Sequence, residues 1–266
     1  MIKSFYNLTA FCFLVALLAS ANLPKTTQAQ TINSIGNDPS LSNQQRKQVK
    51  EIIREYLQKN PKVIIQSIQA MREQQKNKAK KLSRKSVGVY KELIINDPTS
   101  PIAGNPKGDV TIVEFFDYSC GYCKKIFPNL KRLISEDKNI RFVFKELPIL
   151  SPQSELAARA ALAAWRQDKK KYMVIHSEFM NLRGRFSETR ILRIAKNKGL
   201  DITQLKKDMG SLTMDKTIAQ NRQLAQKLNI TGTPGFIIGN NIIPGAVELE
   251  ILKKLILDVR KAKIAG

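Results

Sequence analysis

Cys120 and Cys123 are separated by two residues in the stretch FFDYSCGYCKKIFPNL, residues 115–130. The chain has three cysteines, and the other is Cys12. Three chemistries use that spacing: a metal clip, a structural staple and a redox pair. Zinc takes about four ligands. The sequence has no second cysteine pair, and its one histidine, His176, is expected on a helix far from the pair as an ordinary core or surface residue. Two thiolates alone suffice for copper(I), so a copper-handling thiol site stays open. A disulfide closing so short a loop removes little unfolded-state entropy, which makes a staple a poor use of the pair.

The redox reading gains from the flanking residues. Val110 to Phe116 reads as a buried strand of β-branched and aromatic residues that runs straight into the pair. After it Ile126, Phe127, Leu130, Leu133 and Ile134 recur at helical spacing, with Pro128 expected to kink the helix. Cys120 is therefore expected at a helix N-terminus, where unpaired amides favour a thiolate. A thiolate is the attacking species in disulfide exchange. Cys123, one turn further in, is expected to be more buried and to resolve the mixed disulfide.

The elements that must position this turn alternate in period. Leu93 to Ile95 reads as a short strand, followed by a Pro- and Gly-rich loop, and Ile140 to Glu146 as another strand. Residues 152–229 read as nearly strand-free, beginning with the alanine-rich SELAARAALAAW. Helices are expected near 168–181, 187–198, 201–208 and 213–228. Phe236–Ile238, a turn at 239–241, Ile242–Ile243 and a helix over 247–263 complete the chain. A parallel β–α–β half followed by β–β–α, with helices inserted between, is an α/β topology.

Two helical stretches precede it. Val49, Ile52, Ile53, Tyr56 and Leu57 keep helical spacing, and so do Ile64, Ile65, Ile68 and Met71 after Asn60-Pro61. Asn60 suits an N-cap and Pro61 a first helical position. The stretch fades into polar residues through Ser86, which read as a stalk or linker. Two such helices cannot fully cover each other's stripes, so the helical segment over residues 41–86 is expected either to pack on the main domain or to self-associate, and the stalk-like stretch after Met71 tips the reading toward association.

The N-terminus carries Lys3, an apolar run from Phe11 to Ala19, and the small-residue site Ala19-Ser20-Ala21. Residues 1–21 read as a cleaved secretory signal and 22–40 as a flexible leader. Export implies an oxidising compartment. The 45 Lys and Arg against 22 Asp and Glu give a net charge of +23. They spread along the whole chain without aromatic–basic interleaving, which reads as a solvated surface and not a nucleic-acid site. The 42% hydrophobic content is that of an ordinary globular protein.

CGYC after VEFFDYS, with TGTPGF about 110 residues downstream, resembles the thioredoxin superfamily. More narrowly it looks like the exported DsbA/DsbC group of thiol–disulfide oxidoreductases. REYLQKNPKVIIQSIQAMREQQ ahead of DPTSPIAGNPKGDVTIVEFFDYSCGYCK looks most like the ScsC-type branch, some of whose members are oligomeric isomerases. The resemblance, over residues 93–263, implies a thioredoxin fold with a helical insertion at about 151–229, in a catalytic domain spanning 87–266. It implies that Pro234 is a cis-proline facing the cysteines and that the Thr233 backbone pairs with an extended substrate. Glu114 matches a buried acid that relays the Cys123 proton. Gly121-Tyr122 is the dipeptide of the isomerase side, whereas the oxidase side carries Pro-His, so the pair is expected to be less oxidising. Tyr122 is expected to border the substrate. The resemblance further implies a periplasmic protein that needs no cofactor or resident metal. It would act on unfolded or misoxidised exported proteins and exchange electrons with a membrane redox partner. Isomerase or reductase work is favoured, with dithiol oxidation second.

Overall fold

The structure, a computed structural model, describes residues 41–264. The signal and leader expected over 1–21 and 22–40 lie outside them. The chain divides into two compact units, one ending at Ile68 and the other beginning at Gln69.

Helix α1 spans Asn43–Lys59 and starts on a capping box. The Ser42 hydroxyl accepts from the Gln45 N–H and the Gln45 side chain accepts from the Ser42 N–H, satisfying two orphan donors at once. None of its residues is buried. Asn60, expected to N-cap the next helix, turns back instead. Its side-chain amide donates to the Tyr56 carbonyl at 2.9 Å, closing the C-terminus of α1. Helix α2 spans Pro61–Val89, with Pro61 at its first position, and only Val87 is buried. The polar stretch read as a linker is thus continuous helix, because Lys, Arg, Gln and Glu are all good helix formers.

Leu93–Ile95, expected as a strand, belongs to the short helix α3, Lys91–Ile95. Three apolar residues carry no period, and tertiary contacts decided. Ile94 is buried, and the ammonium of Lys145 is held by the Leu93 carbonyl at 2.8 Å and by Asp97 at 2.7 Å. The first strand, β1 at Ile102–Gly104, lies in the stretch read as loop.

The sheet then assembles around the two strands that the residue types foretold. Strands β2, Val110–Phe116, and β3, Ile140–Glu146, pair in parallel across helix α4, Gly121–Glu136. Helix α4 runs through Pro128. Strands β4, Gly235–Ile238, and β5, Asn241–Pro244, form an antiparallel hairpin on the other edge of β2. The order is β1-β3-β2-β4-β5, with β1 antiparallel to β3. Helix α10, Leu249–Ile264, follows.

Alternation along β2 divides the core between the two faces of the sheet. Ile112 and Phe116 join Phe142, Phe144, Phe236 and the apolar sides of α4 and α10. Val113 and Phe115 join Val143, Leu147, Ile237 and Ile94. Between β3 and β4 stand five helices: α5, Pro152–Gln167; α6, Tyr172–Asn181; α7, Glu188–Asn197; α8, Ile202–Met209; and α9, Leu212–Lys227. In α5, Ala157, Ala160, Ala161 and Ala164 are buried; their small side chains let neighbouring helices approach closely. This is a thioredoxin fold with an inserted helical domain, preceded by a helical segment.

Candidate active site

Strand β2 ends at Phe116, and the turn Asp117–Cys120 carries the chain into α4. Cys120 is the N-cap of that helix, in extended backbone, and its sulfur accepts from the Cys123 N–H at 3.4 Å. Orphan amides of a first helical turn thus converge on one sulfur. Both cysteines are free thiols. A hydrogen bond from the Cys123 thiol, with the backbone N–H groups of Cys123 and Tyr122 and against the effect of burial, brings the Cys120 thiol down to about 5. Cys123 goes the opposite way. It is fully buried, and burial, its bond to Cys120 and the charge of Glu114 push its thiol far up. One sulfur is poised as a thiolate and the other is held as a thiol.

The opposite wall comes from the β4 side. The Thr233–Pro234 peptide bond is cis. The Cys120 sulfur lies 3.2 Å from the Thr233 carbonyl oxygen. Pro234 is buried and its carbonyl accepts from Gly245 N–H at 2.8 Å, which ties the loop to the end of the hairpin. Tyr122 is 66% exposed, on the outer side of the turn.

Glu114 sits in β2 between Phe144 and Phe236 of the neighbouring strands and is fully buried. Neither of its carboxyl oxygens has a hydrogen-bond partner among the described residues. Burial first, and then the Cys120 charge, raises its carboxyl to about 8. A carboxyl that titrates there can exchange a proton at neutral pH. The structure thus brings Cys120, Cys123, Glu114, Thr233 and Pro234 to one place and sets Tyr122 at its rim.

His176, expected far from the pair, lies on α6 in the core just under the turn. Its ring meets Phe116 and Phe127 edge-on, and its Nδ1 is 2.8 Å from the Tyr118 hydroxyl. Burial lowers it to about 3, so the imidazole is neutral. The Tyr118 hydroxyl also reaches Glu146 at 3.3 Å, whose carboxyl burial holds well above the ordinary range. Sequence reasoning missed Asp117. Its carboxylate accepts from Ser119 N–H at 2.7 Å, Ile149 N–H at 2.9 Å and Leu150 N–H at 3.0 Å, joining the cysteine turn to the β3–α5 loop. No spacing signals such a clamp, since two of its three partners lie 32 and 33 residues downstream. Among the described residues no group of His, Cys, Asp and Glu has the makings of a metal site.

Known proteins resemble the chain at several levels. A thioredoxin-like oxidoreductase from Silicibacter pomeroyi DSS-3 is 45% identical, over 64% of this chain and 97% of its own, with a TM-score of 0.61. The thiol-disulfide exchange protein alpha-DsbA2 from Wolbachia pipientis is 35% identical over 68% and 97%, at 0.64. A linker-deleted Proteus mirabilis ScsC is 25% identical and covers 84% of this chain and 98% of its own, also at 0.64. Among curated relatives, the probable disulfide bond formation protein D of Bacillus cereus is 26% identical over 64% of this chain and 88% of its own. The chain spans only 27% of the Na(+)/H(+) antiporter NhaA 1 of Salinispora arenicola, at 26% identity. Residues 45–78 match the family described as the copper resistance protein ScsC N-terminal domain. Residues 111–257, more than half of the sequence, match the DSBA-like thioredoxin domain, and to that family the chain belongs.

Proposed function

We propose that the protein is a thiol–disulfide oxidoreductase of exported polypeptides, with isomerase or reductase work as its main direction. The split between the two thiols carries the oxidoreductase reading, though not its direction: Cys120 is lowered to about 5 while Cys123 is buried and raised. The Cys120 thiolate attacks one sulfur of a substrate disulfide. A mixed disulfide forms, the old bond breaks, and the expelled sulfur leaves as a thiolate and takes a proton. An extended substrate strand pairs with the backbone at Thr233-Pro234, so recognition is largely indifferent to sequence. Tyr122 adds an exposed apolar ring beside it.

Two exits follow. Cys123 gives its proton to Glu114 in its ionised form, attacks the Cys120 sulfur and releases the substrate as a dithiol, which is reduction. A second substrate thiol can instead attack the mixed disulfide and leave with a new pairing, which is isomerisation. Gly121-Tyr122 supports these directions. The low Cys120 value favours the second reading, a dithiol oxidase, because a stabilised thiolate makes the disulfide a stronger oxidant. A periplasmic location, a membrane redox partner and self-association through residues 41–86 complete the proposal. Among the described residues no helix is long and apolar enough to cross a membrane.

The test is recovery of activity from a scrambled, disulfide-bonded substrate, run beside measurement of the Cys120–Cys123 potential in a glutathione buffer. Rescue that Cys120→Ser abolishes supports the proposal. Undiminished rescue by Cys120→Ser overturns it. Oxidation of dithiol substrates without reshuffling favours the oxidase.

A further inference from the structure

A cleft of about 480 Å³ opens beside the cysteine turn, lined by Ser119, Lys124, Ser151, Gln153, Arg185 and Phe186. Ser119 directly precedes Cys120, and Lys124 directly follows Cys123. No carboxylate lines it. Its far wall is the α6–α7 loop, residues 182–186, which is built around a guanidinium. Arg190 donates to the Arg185 carbonyl at 2.9 Å and to the Arg183 carbonyl at 3.0 Å. Gly184 makes the turn at φ +80°, and a side chain there would crowd the same guanidinium. Lys124 closes the base, donating to the Leu182 carbonyl at 2.6 Å and lying 5.4 Å from the centre of the Phe186 ring.

Two cations, Lys124 and Arg185, therefore line one opening, and the Arg190 guanidinium stands behind the loop that forms its far wall. Among the described residues none of Lys124, Arg183, Arg185 and Arg190 forms a salt bridge. The Arg190 charge acts on Lys124 and, with burial, lowers its ammonium. The carboxylate that acts on Lys124 in the other direction is Asp117, which is buried and already accepts three backbone N–H groups. Uncompensated positive charge in a concave, partly desolvated place attracts an anion more strongly than the same charges on an open surface. The hydroxyls of Ser119 and Ser151 and the amide of Gln153 supply neutral donors at the same rim.

We propose that this cleft is a carboxylate-accepting subsite, which receives an acidic group of the molecule whose sulfur Cys120 attacks. The inference rests on the oxidoreductase reading above. It adds a preference that main-chain pairing at Thr233 cannot give. The acidic group belongs either to a small anionic disulfide or to a Glu or Asp side chain near a substrate cysteine. In each reaction the reduced chain gives up two electrons and two protons, its Cys120–Cys123 disulfide forms, and the probe leaves as two thiols.

The experiment follows thiol release from three small disulfides with the reduced full-length chain: anionic glutathione disulfide, neutral bis(2-hydroxyethyl) disulfide and cationic cystamine. The expected order is anionic, neutral, cationic. Arg185→Glu is expected to lower the anionic-to-neutral rate ratio about threefold or more, the size of one exposed ion pair made repulsive, and Arg183→Glu, off the lining, is expected to lower it less. Added salt should compress the ratio in the parent chain. The neutral probe reports folding, because only the ratio is read. Peptide disulfides with Glu or Gln beside the cysteine form a second arm. A Glu preference there assigns the subsite to protein segments, and a preference confined to glutathione disulfide assigns it to small thiols. Equal parent rates for anionic and neutral probes, or a ratio untouched by both reversals, overturns the subsite. Exchange with none of the probes removes the oxidoreductase reading, and the subsite falls with it.

Discussion

One oxygen of Asp117 holds the backbone N–H of Leu150 at 3.0 Å, across 33 residues of chain. The same oxygen holds Ile149, and its partner oxygen holds Ser119, next to the nucleophile. A buried carboxylate therefore fixes the cysteine turn to the loop that opens the helical insertion. Asp117→Ala leaves three N–H groups without their acceptor. A loss of about 2–4 kcal/mol is expected, since the three donors are part-buried and each costs near the low end of the roughly 1–3 kcal/mol of an unpaired buried group. Asp117→Asn, which keeps one acceptor oxygen, is expected to lose less. Urea unfolding of the two variants measures the difference.

Cys123→Ala removes the thiol whose hydrogen bond contributes most to the low Cys120 value. The Cys120 thiolate is expected to titrate clearly above about 5, while the backbone N–H groups keep it below an ordinary cysteine. Thiolate absorbance against pH reads this directly. An unchanged titration would put the effect on Thr233 and the helix amides.

Glu114 gives a pH dependence of stability with a definite sign. Its folded carboxyl titrates at about 8, against 4.5 for the ordinary group. Between those limits the folded chain holds a proton that the unfolded chain has lost. Its contribution therefore falls as pH rises, by about 1.4 kcal/mol per pH unit, and is gone above about 8. Glu114→Gln should remove this slope. It should also slow release of the mixed disulfide, because Cys123 loses its proton acceptor. Denaturation curves from pH 5 to 9 and single-turnover kinetics check the two halves.

The N-terminal helices expose Ile52, Ile53 and Tyr56 on α1 and Ile64, Ile65 and Ile68 on α2, each at least 40% accessible. Apolar rows of that length call for a covering surface. A second copy of the same helices is the proposed cover. Light scattering should give the full-length chain a multiple of its 30.0 kDa mass. Both a chain limited to residues 87–266 and Ile53→Glu with Ile65→Glu should shift toward the monomer. Equal monomeric masses would refute the association and weaken the isomerase direction.

Much of this fold was legible because its signals are local. β2 and β3 are runs of β-branched and aromatic residues, and Pro61 starts its helix where residue chemistry says it should. The cysteine turn was legible from its place between a strand and a helical stripe. The failures have two causes, a local contact that competes with the expected cap and contacts between segments far apart in sequence. Leu93–Ile95 is helix where Lys145, 52 residues on from Leu93, docks on the Leu93 carbonyl. Asn60 caps backward because Tyr56 offers a carbonyl. Asp117, Tyr118 and Glu146 gain their roles only when distant segments meet, and no window of sequence contains both partners.

The contact between Cys120 and the Thr233 carbonyl spans 113 residues, and the whole helical insertion lies between them. Its consequence is that neither segment makes the site alone. The CGYC turn carries the reacting sulfurs, and the loop ahead of the last hairpin carries the wall that faces them. The two meet only when the hairpin is paired with β2.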